Sequence, residues 1–402
     1  MTISFEPGTV FPPTGDIPTA SSPTTTPLHA KTAFIHSSFL SSLTNHNIYL
    51  KLDCDQPSGS FKIRGIGKIC QSVVAQYGTS NTRLVTSSGG NAGLAVAYAA
   101  SRAGVQSTIF VPSSTEPDVV EKLRGMGAEV VVGGDSWDQA DNGARGLAEK
   151  LKGKGGVYVH PFIGNELVEG HSGLVDEIYD QFAEQGWEGE VDAIICSTGG
   201  GGLLRGIIKG VNRQKGTKPT LVAVQNFGVN SFNLSLDACP SEPGAELPKD
   251  VVALERIASK CTSMGTKKCS LATVHDAIHY NSNAGAGGVT TLTVADELSA
   301  SACWQFSESQ DANGRMVELS CASALTPVFH PWILKQLVER SKGLKGKKER
   351  KLNIVVEVCG GSKVNKGLLE GYKRDAGKME KGDRIRVNGV DIAPSSANSA
   401  SS

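Results

Sequence analysis

The sequence predicts an α/β protein built around parallel β-sheet. From residue 47 onward, short runs rich in β-branched residues alternate with longer segments of helical periodicity, and Gly, Ser or Pro joins them. This alternation is typical of repeated strand–helix–strand units. The chain has 402 residues, enough for one large or two medium domains, and its 47 glycines fall in clusters that indicate several tight loops.

Each element is predicted from its own pattern. Strands are predicted at residues 48–52, 83–86, 108–111, 129–132, 157–160, 193–197, 220–225 and 353–358. Helices are predicted at residues 61–77, 92–103, 117–126, 137–152, 166–184, 203–211, 291–306, 324–341 and 364–372. Residues 226–266 are predicted to be irregular, and the basic run 341–351 is predicted to be a solvated loop.

Composition excludes several classes of partner. Forty Lys and Arg residues balance forty Asp and Glu residues, so the basic excess typical of nucleic-acid and membrane-surface binding is absent. No apolar run approaches the roughly 18 residues of a membrane span. The nine cysteines are scattered without a C-x-x-C pair, and the first thirty residues contain no Lys or Arg. We therefore expect a cytoplasmic protein with reduced thiols, no targeting signal, and no nucleic-acid or membrane partner.

A run of four glycines is the strongest local motif. Gly199, Gly200, Gly201 and Gly202 follow the apolar run AIICST and precede the helical segment LLRGIIKGV. Such a loop aims several backbone N–H groups, with a helix N-terminus behind them, at one anion. Because the sequence has no Walker A motif and no clean G-x-G-x-x-G, ATP and dinucleotides are disfavoured. We expect a phosphate site; a simple tight turn is the alternative.

Three further motifs lie at predicted element ends. The loop SSGGNAG at residues 87–93 opens a helix, where hydroxyl and free N–H groups suit a carboxylate or cap the helix. Lys62 begins another helix, where the dipole lowers an amine pKa and so favours Schiff-base chemistry, unless the lysine is simply exposed. Cys359 ends a predicted parallel strand, where α/β proteins bind ligands and where a small buried apolar residue is the alternative.

In this order the four motifs resemble the fold-type II pyridoxal-phosphate enzymes, most closely the catabolic, single-catalytic-domain L-serine/L-threonine dehydratases. The resemblance runs from about residue 27 to residue 372. It implies a tryptophan synthase β-like fold with two open, twisted, mostly parallel sheets flanked by helices. It also implies a large domain of residues 27–56 and 161–375 and a small domain of residues 57–160. The composition of the two ends separately predicts a disordered N-terminal tail at residues 1–26 and a flexible C-terminal tail at residues 376–402.

The resemblance assigns a role to each motif. Lys62 forms the Schiff base with pyridoxal 5′-phosphate, Phe61 covers one face of the cofactor ring, Ser263 packs on the other face, and Cys359 contacts the pyridine nitrogen. Gly199, Gly200, Gly201 and Gly202 bind the cofactor phosphate. The substrate carboxylate is bound by Ser88, Gly89, Gly90, Asn91 and Ala92, and Asn91 also lies near the 3-hydroxyl group of the cofactor.

The implied reaction is β-elimination of L-serine, and of L-threonine, to pyruvate or 2-oxobutanoate and ammonia. Lys62 serves as the general base for the α-proton. A neutral thiol at Cys359 cannot keep the ring nitrogen protonated, so loss of the β-hydroxyl competes well. A cysteine here is typical of catabolic serine dehydratases. Serine racemisation, β-replacement and non-catalytic cofactor binding are the alternatives.

Two positions depart from the family pattern. Gln225 stands where relatives commonly carry an acidic residue that helps to hold a monovalent cation, and Gly89 stands where they often carry Ala or Ser. By analogy, Gly199, Gln225, Val229, Met264 and Thr266 are expected to form a K⁺ site, weakened because the charge is lost. The missing methyl group of Gly89 is expected to widen the substrate side. The family also implies a homodimer.

Overall fold

The chain divides into two compact units. The computed structural model describes residues 26–240, 246–283, 285, 287–347, 349–376 and 384–393. The smaller unit comprises Gln56–His171 with the described residues up to Ala30, and the larger unit comprises Lys31–Asp55 with the described residues from Ser172 onward. Residues 27–30, 56 and 161–171, expected in the larger domain, are thus part of the smaller unit. The expected N-terminal tail lies outside the described residues apart from Thr26.

The elements alternate along the chain. The strands are β1 (Phe34–His36), β2 (Asn47–Lys51), β3 (Arg83–Ser87), β4 (Gln106–Val111), β5 (Glu129–Val132), β6 (Gly156–Tyr158), β7 (Ala193–Ser197), β8 (Thr220–Asn226), β9 (Val289–Val294), β10 (Asn353–Glu357), β11 (Ile385–Val387) and β12 (Val390–Ile392). The helices are α1 (Ser38–Thr44), α2 (Lys62–Tyr77), α3 (Asn91–Ala103), α4 (Pro117–Gly125), α5 (Trp137–Lys150), α6 (Asn165–Glu184), α7 (Gly202–Arg213), α8 (Ser231–Asp237), α9 (Leu271–Ser282), α10 (Asp296–Glu308), α11 (Leu319–Phe329), α12 (Pro331–Arg340) and α13 (Lys366–Ala376).

The smaller unit is built on a parallel sheet. Its four strands lie in the order β5-β4-β3-β6, and all pairings are parallel. Side chains of α2 and α3 form one core cluster with this sheet, and alanines of α5 pack on Val85 and Phe110 in another. Since the strands are parallel, their carboxyl ends share one edge of the sheet, and the loop from β3 to α3 begins there.

The larger unit is built on a mixed sheet. Its eight strands lie in the order β1-β2-β10-β7-β8-β9-β11-β12. The five from β2 to β9 in this order are parallel, and they are nearly all buried, as expected for strands covered on both faces. The strands β1, β11 and β12 add to the two edges in antiparallel pairs. Both sheets thus agree with the predicted mostly parallel α/β architecture.

Some elements differ from their predictions. The helix predicted at residues 291–306 begins only at Asp296, because Val289–Val294 is a fully buried β-branched run that forms β9. The helix predicted at residues 324–341 is two helices, α11 and α12, because Pro331 has no N–H to continue the ladder and opens a new helix instead. Six elements had no counterpart in the prediction: β1, α1, α8, α9, β11 and β12.

The basic run is more than a solvated loop. Lys347 Nζ donates to Asp192 at 2.7 Å, and Arg350 Nη2 donates to the same carboxylate at 2.6 Å. The Asp192 side chain is fully buried just before β7, and it also accepts the backbone N–H of Asn353 at 2.9 Å. Although burial opposes ionisation, the hydrogen bonds from Arg350 and Lys347 hold the pKa of Asp192 below its ordinary value. This loop therefore ties the starts of β7 and β10 together.

Residues 384–393, assigned by the sequence analysis to a flexible tail, contain a β-hairpin. β11 pairs with β9 and β12 pairs with β11. The turn residues Asn388 and Gly389 both have positive φ, 47° and 78°, as a two-residue hairpin turn requires. Ile385 and Val387 are fully buried, so the alternating pattern covers the sheet edge. Residues 377–383 and 394–402 lie outside the described part.

Within the described residues, no helix combines the length and the apolar character that crossing a membrane requires.

Candidate active site

Lys62 is held in place at the start of α2. Its Nζ donates to the backbone carbonyl of Pro161 at 2.7 Å and lies 5.0 Å from the centroid of the Phe61 ring. A Cβ atom added to Gly65, one turn further along α2, would come within 2.7 Å of His171 Nε2 and of the Leu167 carbonyl oxygen. The first turns of α2 are thus closely packed, so the backbone that carries the Lys62 side chain is held in place.

His160 shapes the turn that carries Pro161. Its Nδ1 lies 3.2 Å from the backbone N atoms of both Phe162 and Ile163. Burial, assisted by the positive charges of Arg145 and Lys62, lowers the pKa of His160 to about 4. The ring is therefore neutral at neutral pH, with Nδ1 free of a proton and able to accept both N–H groups. A neutral His160 thus stabilises the turn whose carbonyl contacts Lys62 Nζ.

The loop expected to bind the substrate carboxylate lies between β3 and α3. Asn91 is the first residue of α3, and the amide N–H of Gly90 donates to Ser88 Oγ at 3.2 Å. A Cβ atom on Gly93 would overlap the carbonyl oxygen of Ser88, so the loop folds tightly onto the first turn of α3. Amides in the first turn of a helix have no acceptor within the helix, and they suit a carboxylate. Ser88, Gly89, Gly90, Asn91 and Ala92 are together at this helix start.

Gly89 borders apolar side chains of its own unit. A Cβ atom at this position would lie 3.2 Å from Thr115 Cγ2 and 3.6 Å from the Cγ1 atoms of Val111 and Val119. The missing methyl group therefore leaves room for Thr115. The expectation that glycine widens the substrate side stays a prediction.

The four glycines connect β7 to α7. Gly201 has φ +101°, a conformation that residues with a side chain rarely adopt, and a Cβ atom there would lie 2.6 Å from Thr273 Cβ. A Cβ atom on Gly199 would lie 3.2 Å from Met264 Cα. The carbonyl of Gly200 accepts the N–H of Ser270, the residue directly before α9, at 3.0 Å. The glycine loop therefore packs against the start of α9. Any residue larger than glycine at position 201 would overlap Thr273.

Cys359 lies at the same edge of the larger sheet. It follows β10, which pairs in parallel with β7, so it shares a sheet edge with the glycine loop. The residue is 6% exposed, and the amide N–H of the next residue, Gly360, donates to Cys321 Sγ at 3.3 Å. The hydrogen bond with Cys321 and burial hold the pKa of the Cys359 thiol well above its ordinary value. The thiol is therefore neutral at physiological pH.

Ser263 and Met264 belong to a short 3-10 turn, Thr262–Met264. Ser263 is exposed, whereas Met264 is buried close to Gly199. Lys363 Nζ, from the loop after β10, donates to Thr262 Oγ1 at 3.0 Å. The turn is thus linked to both the glycine loop and the segment that follows Cys359.

Gln225 is fully buried near the end of β8. Its Nε2 donates to the carbonyl oxygens of Thr198 at 2.7 Å and Val229 at 3.0 Å, and it lies 3.5 Å from that of Gly199. Its Oε1 accepts the backbone N–H of Asn233 at 2.9 Å. Three of the expected cation ligands, Gly199, Gln225 and Val229, are thus adjacent, with Met264 beside Gly199. Thr266, in contrast, uses its hydroxyl to donate to the carbonyl of Lys268 at 2.7 Å.

Comparison with known proteins assigns the family. The family model described as "Pyridoxal-phosphate dependent enzyme" matches residues 25–342. The chain belongs to this family. It is 33% identical over 352 residues to the human protein named L-serine dehydratase/L-threonine deaminase, with 87% of this chain and 96% of that protein covered. It is 32% identical over 344 residues to an L-serine dehydratase of Dictyostelium discoideum, covering 84% and 90%.

Solved structures agree with the fold. A fungal L-serine ammonia-lyase from Rhizomucor miehei aligns with a TM-score of 0.72 and 29% identity, over 87% of this chain and 99% of that one. Maize serine racemase aligns with a TM-score of 0.64 at 20% identity, covering 86% and 94%, which supports the fold alone. The predicted fold-type II architecture and family are thereby confirmed.

The larger unit fits the phosphate of pyridoxal phosphate. Gly200, Gly201 and Gly202 donate no backbone N–H to any acceptor within the described residues. These amides stand at the N-terminus of α7, whose dipole favours an anion. The positive φ of Gly201 and the closeness of Thr273 exclude a side chain from this cradle. The donor set and the space therefore suit a phosphate group.

Sequence reasoning missed several neighbours of these residues. Thr273 belongs to α9 and Ser270 directly precedes it. This helix was not predicted, although a serine before an apolar-periodic run is a recognisable helix-start signal. Cys321 stands near the start of α11 and contacts the loop after Cys359, but nothing in its sequence context marks it. Thr115 stands two residues before Pro117 in a turn, and only the three-dimensional structure relates it to Gly89.

Proposed function

We propose that this protein catalyses the pyridoxal-phosphate-dependent β-elimination of L-serine, and of L-threonine, to pyruvate or 2-oxobutanoate and ammonia. The names of the curated relatives support this reaction. Within the chain, the observation that carries it is the neutral, buried thiol of Cys359 beside the edge that also bears the glycine loop. A partner that stays neutral does not keep the pyridine nitrogen protonated, which favours elimination over deep delocalisation of charge.

Each site residue then has a defined task. Pyridoxal phosphate, when bound, supplies an electron sink for the charge that develops at the substrate Cα. Lys62 Nζ accepts the α-proton, and the Pro161 carbonyl orients that amine. The N–H groups at the start of α3, with Ser88 and Asn91, bind the substrate carboxylate. Phe61 and Ser263 line the cofactor ring, while Gly199–Gly202 hold its phosphate.

The bond changes balance. The Cα–H bond breaks and its proton goes to Lys62 Nζ. Its electron pair then forms the Cα=Cβ bond as the Cβ–O bond breaks, and the hydroxyl leaves as water with the proton that Lys62 Nζ held. The released enamine tautomerises, and hydrolysis of the resulting imine consumes one water and frees ammonia. No net water is therefore produced or used. For threonine the same steps leave one additional methyl group, giving 2-oxobutanoate.

We also propose a cytoplasmic homodimer that acts on free amino acids. Its support is the resemblance to the family together with the nine cysteines, all of which are free thiols. The oligomeric state is measured by sedimentation at several protein concentrations. The monovalent cation of the sequence prediction has no part in this proposed function, because the Gln225 amide donates to the carbonyls that would surround it.

The proposed function is tested on Lys62→Ala beside Lys68→Ala, a control on the exposed side of the same helix. We expect wild type and Lys68→Ala to retain visible absorbance after pyridoxal phosphate is added and the unbound excess is removed, and to release pyruvate from L-serine. Lys62→Ala should show neither the absorbance nor the product. Borohydride reduction of the wild type, followed by peptide mass analysis, should locate the pyridoxyl group on Lys62.

Other outcomes redirect or remove the proposal. Pyruvate formation by Lys62→Ala, or a pyridoxyl group on a different lysine, would contradict the role of Lys62. Bound cofactor with D-serine as the product would indicate racemisation, and a thioether formed with an added thiol would indicate β-replacement. Cofactor binding with none of these products would leave a binding function only.

A further inference from the structure

The environment of the Gln225 side chain is built for a hydrogen-bond donor. The carbonyl oxygens of Thr198 and Val229 lie 2.7 and 3.0 Å from Nε2, and that of Gly199 lies at 3.5 Å. A primary amide carries two N–H donors, which matches the two shorter contacts. Converging backbone carbonyls are also what proteins use to coordinate K⁺. The amide nitrogen therefore stands where these oxygens converge.

The orientation of this amide follows from its partners. Oε1 lies 2.9 Å from the backbone N of Asn233, which can only donate. Rotating the amide by 180° would place Nε2 against that N–H, donor against donor, and would place Oε1 against the carbonyl oxygens. An ion coordinated by Oε1 would require this rotation. Because the residue is fully buried, water cannot relieve the resulting mismatch.

We propose that the Gln225 amide replaces a bound monovalent cation, so that the loops around the glycine run are ordered without K⁺. The amide hydrogens supply the positive partial charges that the carbonyls of Thr198 and Val229 require. Those carbonyls belong to the residue before the four glycines and to the loop after β8. This proposal rests on the proposed function only where enzyme activity is measured. The ordering of the loops around the glycine run can be measured without turnover.

The matched perturbation is Gln225→Glu, which keeps the shape and changes the donor into an acceptor. One carboxylate oxygen would still accept the Asn233 N–H. The other would face carbonyl oxygens without a hydrogen between them, a repulsion that a cation relieves. Gln225→Glu should therefore acquire the dependence on K⁺ that the wild type lacks.

The experiment compares KCl with tetramethylammonium chloride at equal ionic strength, in alkaline buffer so that the new carboxyl group is ionised. Thermal unfolding and initial rates of pyruvate release are measured on the cofactor-loaded protein. The wild type should have the same melting temperature and rate in both salts. Gln225→Glu should melt higher in KCl and lose about tenfold in rate when K⁺ is removed. Gln310→Glu, the same change at an exposed residue, controls for net charge and should behave as wild type.

The results test the role of Gln225 separately from the proposed function. A wild-type melting temperature that rises with K⁺ but not with tetramethylammonium would overturn the proposal, whether or not the protein turns over serine. A folded Gln225→Glu variant that is indifferent to K⁺ in both readouts would also overturn it. If Gln225→Glu fails to fold in either salt, the wild-type melting comparison decides the question alone. Absence of pyruvate formation would bear on the proposed function and leave the melting comparison intact.

Discussion

Replacing Gly201 by alanine tests the phosphate cradle most directly. The residue has φ +101°, and the added methyl carbon would lie 2.6 Å from Thr273 Cβ and 2.5 Å from Thr273 Cγ2. Because the Cβ atom of Thr273 is fixed to the backbone of α9, no rotation of that side chain removes the overlap. Either the glycine loop or the start of α9 must move by several tenths of an ångström.

Two terms set the magnitude of the effect. A left-handed conformation costs alanine about 1–2 kcal/mol relative to glycine, and the overlap adds about 1–3 kcal/mol of overpacking. The unfolding free energy of the cofactor-free protein should therefore fall by about 2–5 kcal/mol. Moving the loop away from one phosphate oxygen loses a charge-assisted hydrogen bond worth about 1.5–3 kcal/mol, which weakens pyridoxal-phosphate binding by about 10- to 150-fold.

Gly186→Ala separates backbone strain from the cradle. Gly186 also has a positive φ, +65°, but a Cβ atom there meets nothing within 4 Å. This control should lose only about 1–2 kcal/mol of stability and bind the cofactor as wild type does. Urea unfolding gives the stabilities, and absorbance titration with pyridoxal phosphate gives the affinities. If Gly201→Ala binds the cofactor as tightly as Gly186→Ala does, the phosphate is not held at this loop.

Two further predictions address other parts of the chain. Asp192→Asn should lower the unfolding free energy by about 1.5–3 kcal/mol, because the neutral amide loses the charge-assisted hydrogen bonds from Lys347 and Arg350. Since the pKa of Asp192 is lower in the folded state, its stabilisation is present above about pH 4 and is lost as pH falls through the lower folded value; urea unfolding against pH should show a shallower acid slope in the variant. Gly89→Ala should raise the KM for L-serine about fivefold by pushing the loop away from Thr115 Cγ2, and Thr115→Ser, which removes that atom, should restore it. A KM that stays high in the double variant would show that Thr115 is not the obstacle.

The sequence was most informative where periodicity and helix-start signals coincide. The starts of α2, α3 and α7 fall within one residue of their predicted positions, and each carries a motif residue, Lys62, Asn91 or Gly202. The predicted strands in both sheets recur for the same reason, because runs of β-branched residues between turn signals have few alternatives. The positions of these helices and strands along the chain, and the sheet edges at which the motifs lie, were therefore predictable from local sequence.

What escaped prediction depends on partners that are distant in sequence. The last four residues of the run VTTLTV, residues 291–294, were included in a helix because a helical pattern follows them directly, whereas the run pairs with β8 and β11 as β9. The hairpin at residues 384–393 carried a local signal, Asn388 followed by Gly389 within an alternating pattern, that the polar surroundings of the C-terminal segment concealed. The closeness of Gly201 to Thr273 relates a loop residue to a helix distant in sequence, and it has no local signal.

Gln225 shows the limit of reasoning from residue types alone. From the sequence, a glutamine in place of an acidic residue is a lost charge, and a lost charge predicts a weakened cation site. In the structure, the same substitution also changes an acceptor into a donor, and the N–H of Asn233 fixes which end of the amide faces the carbonyls. A protein with a weakened cation site would still respond to K⁺ at high concentration. A protein whose site is filled by the Gln225 amide would not respond at any K⁺ concentration. The hydrogen-bond partners, rather than the change in charge, therefore decide what this position does.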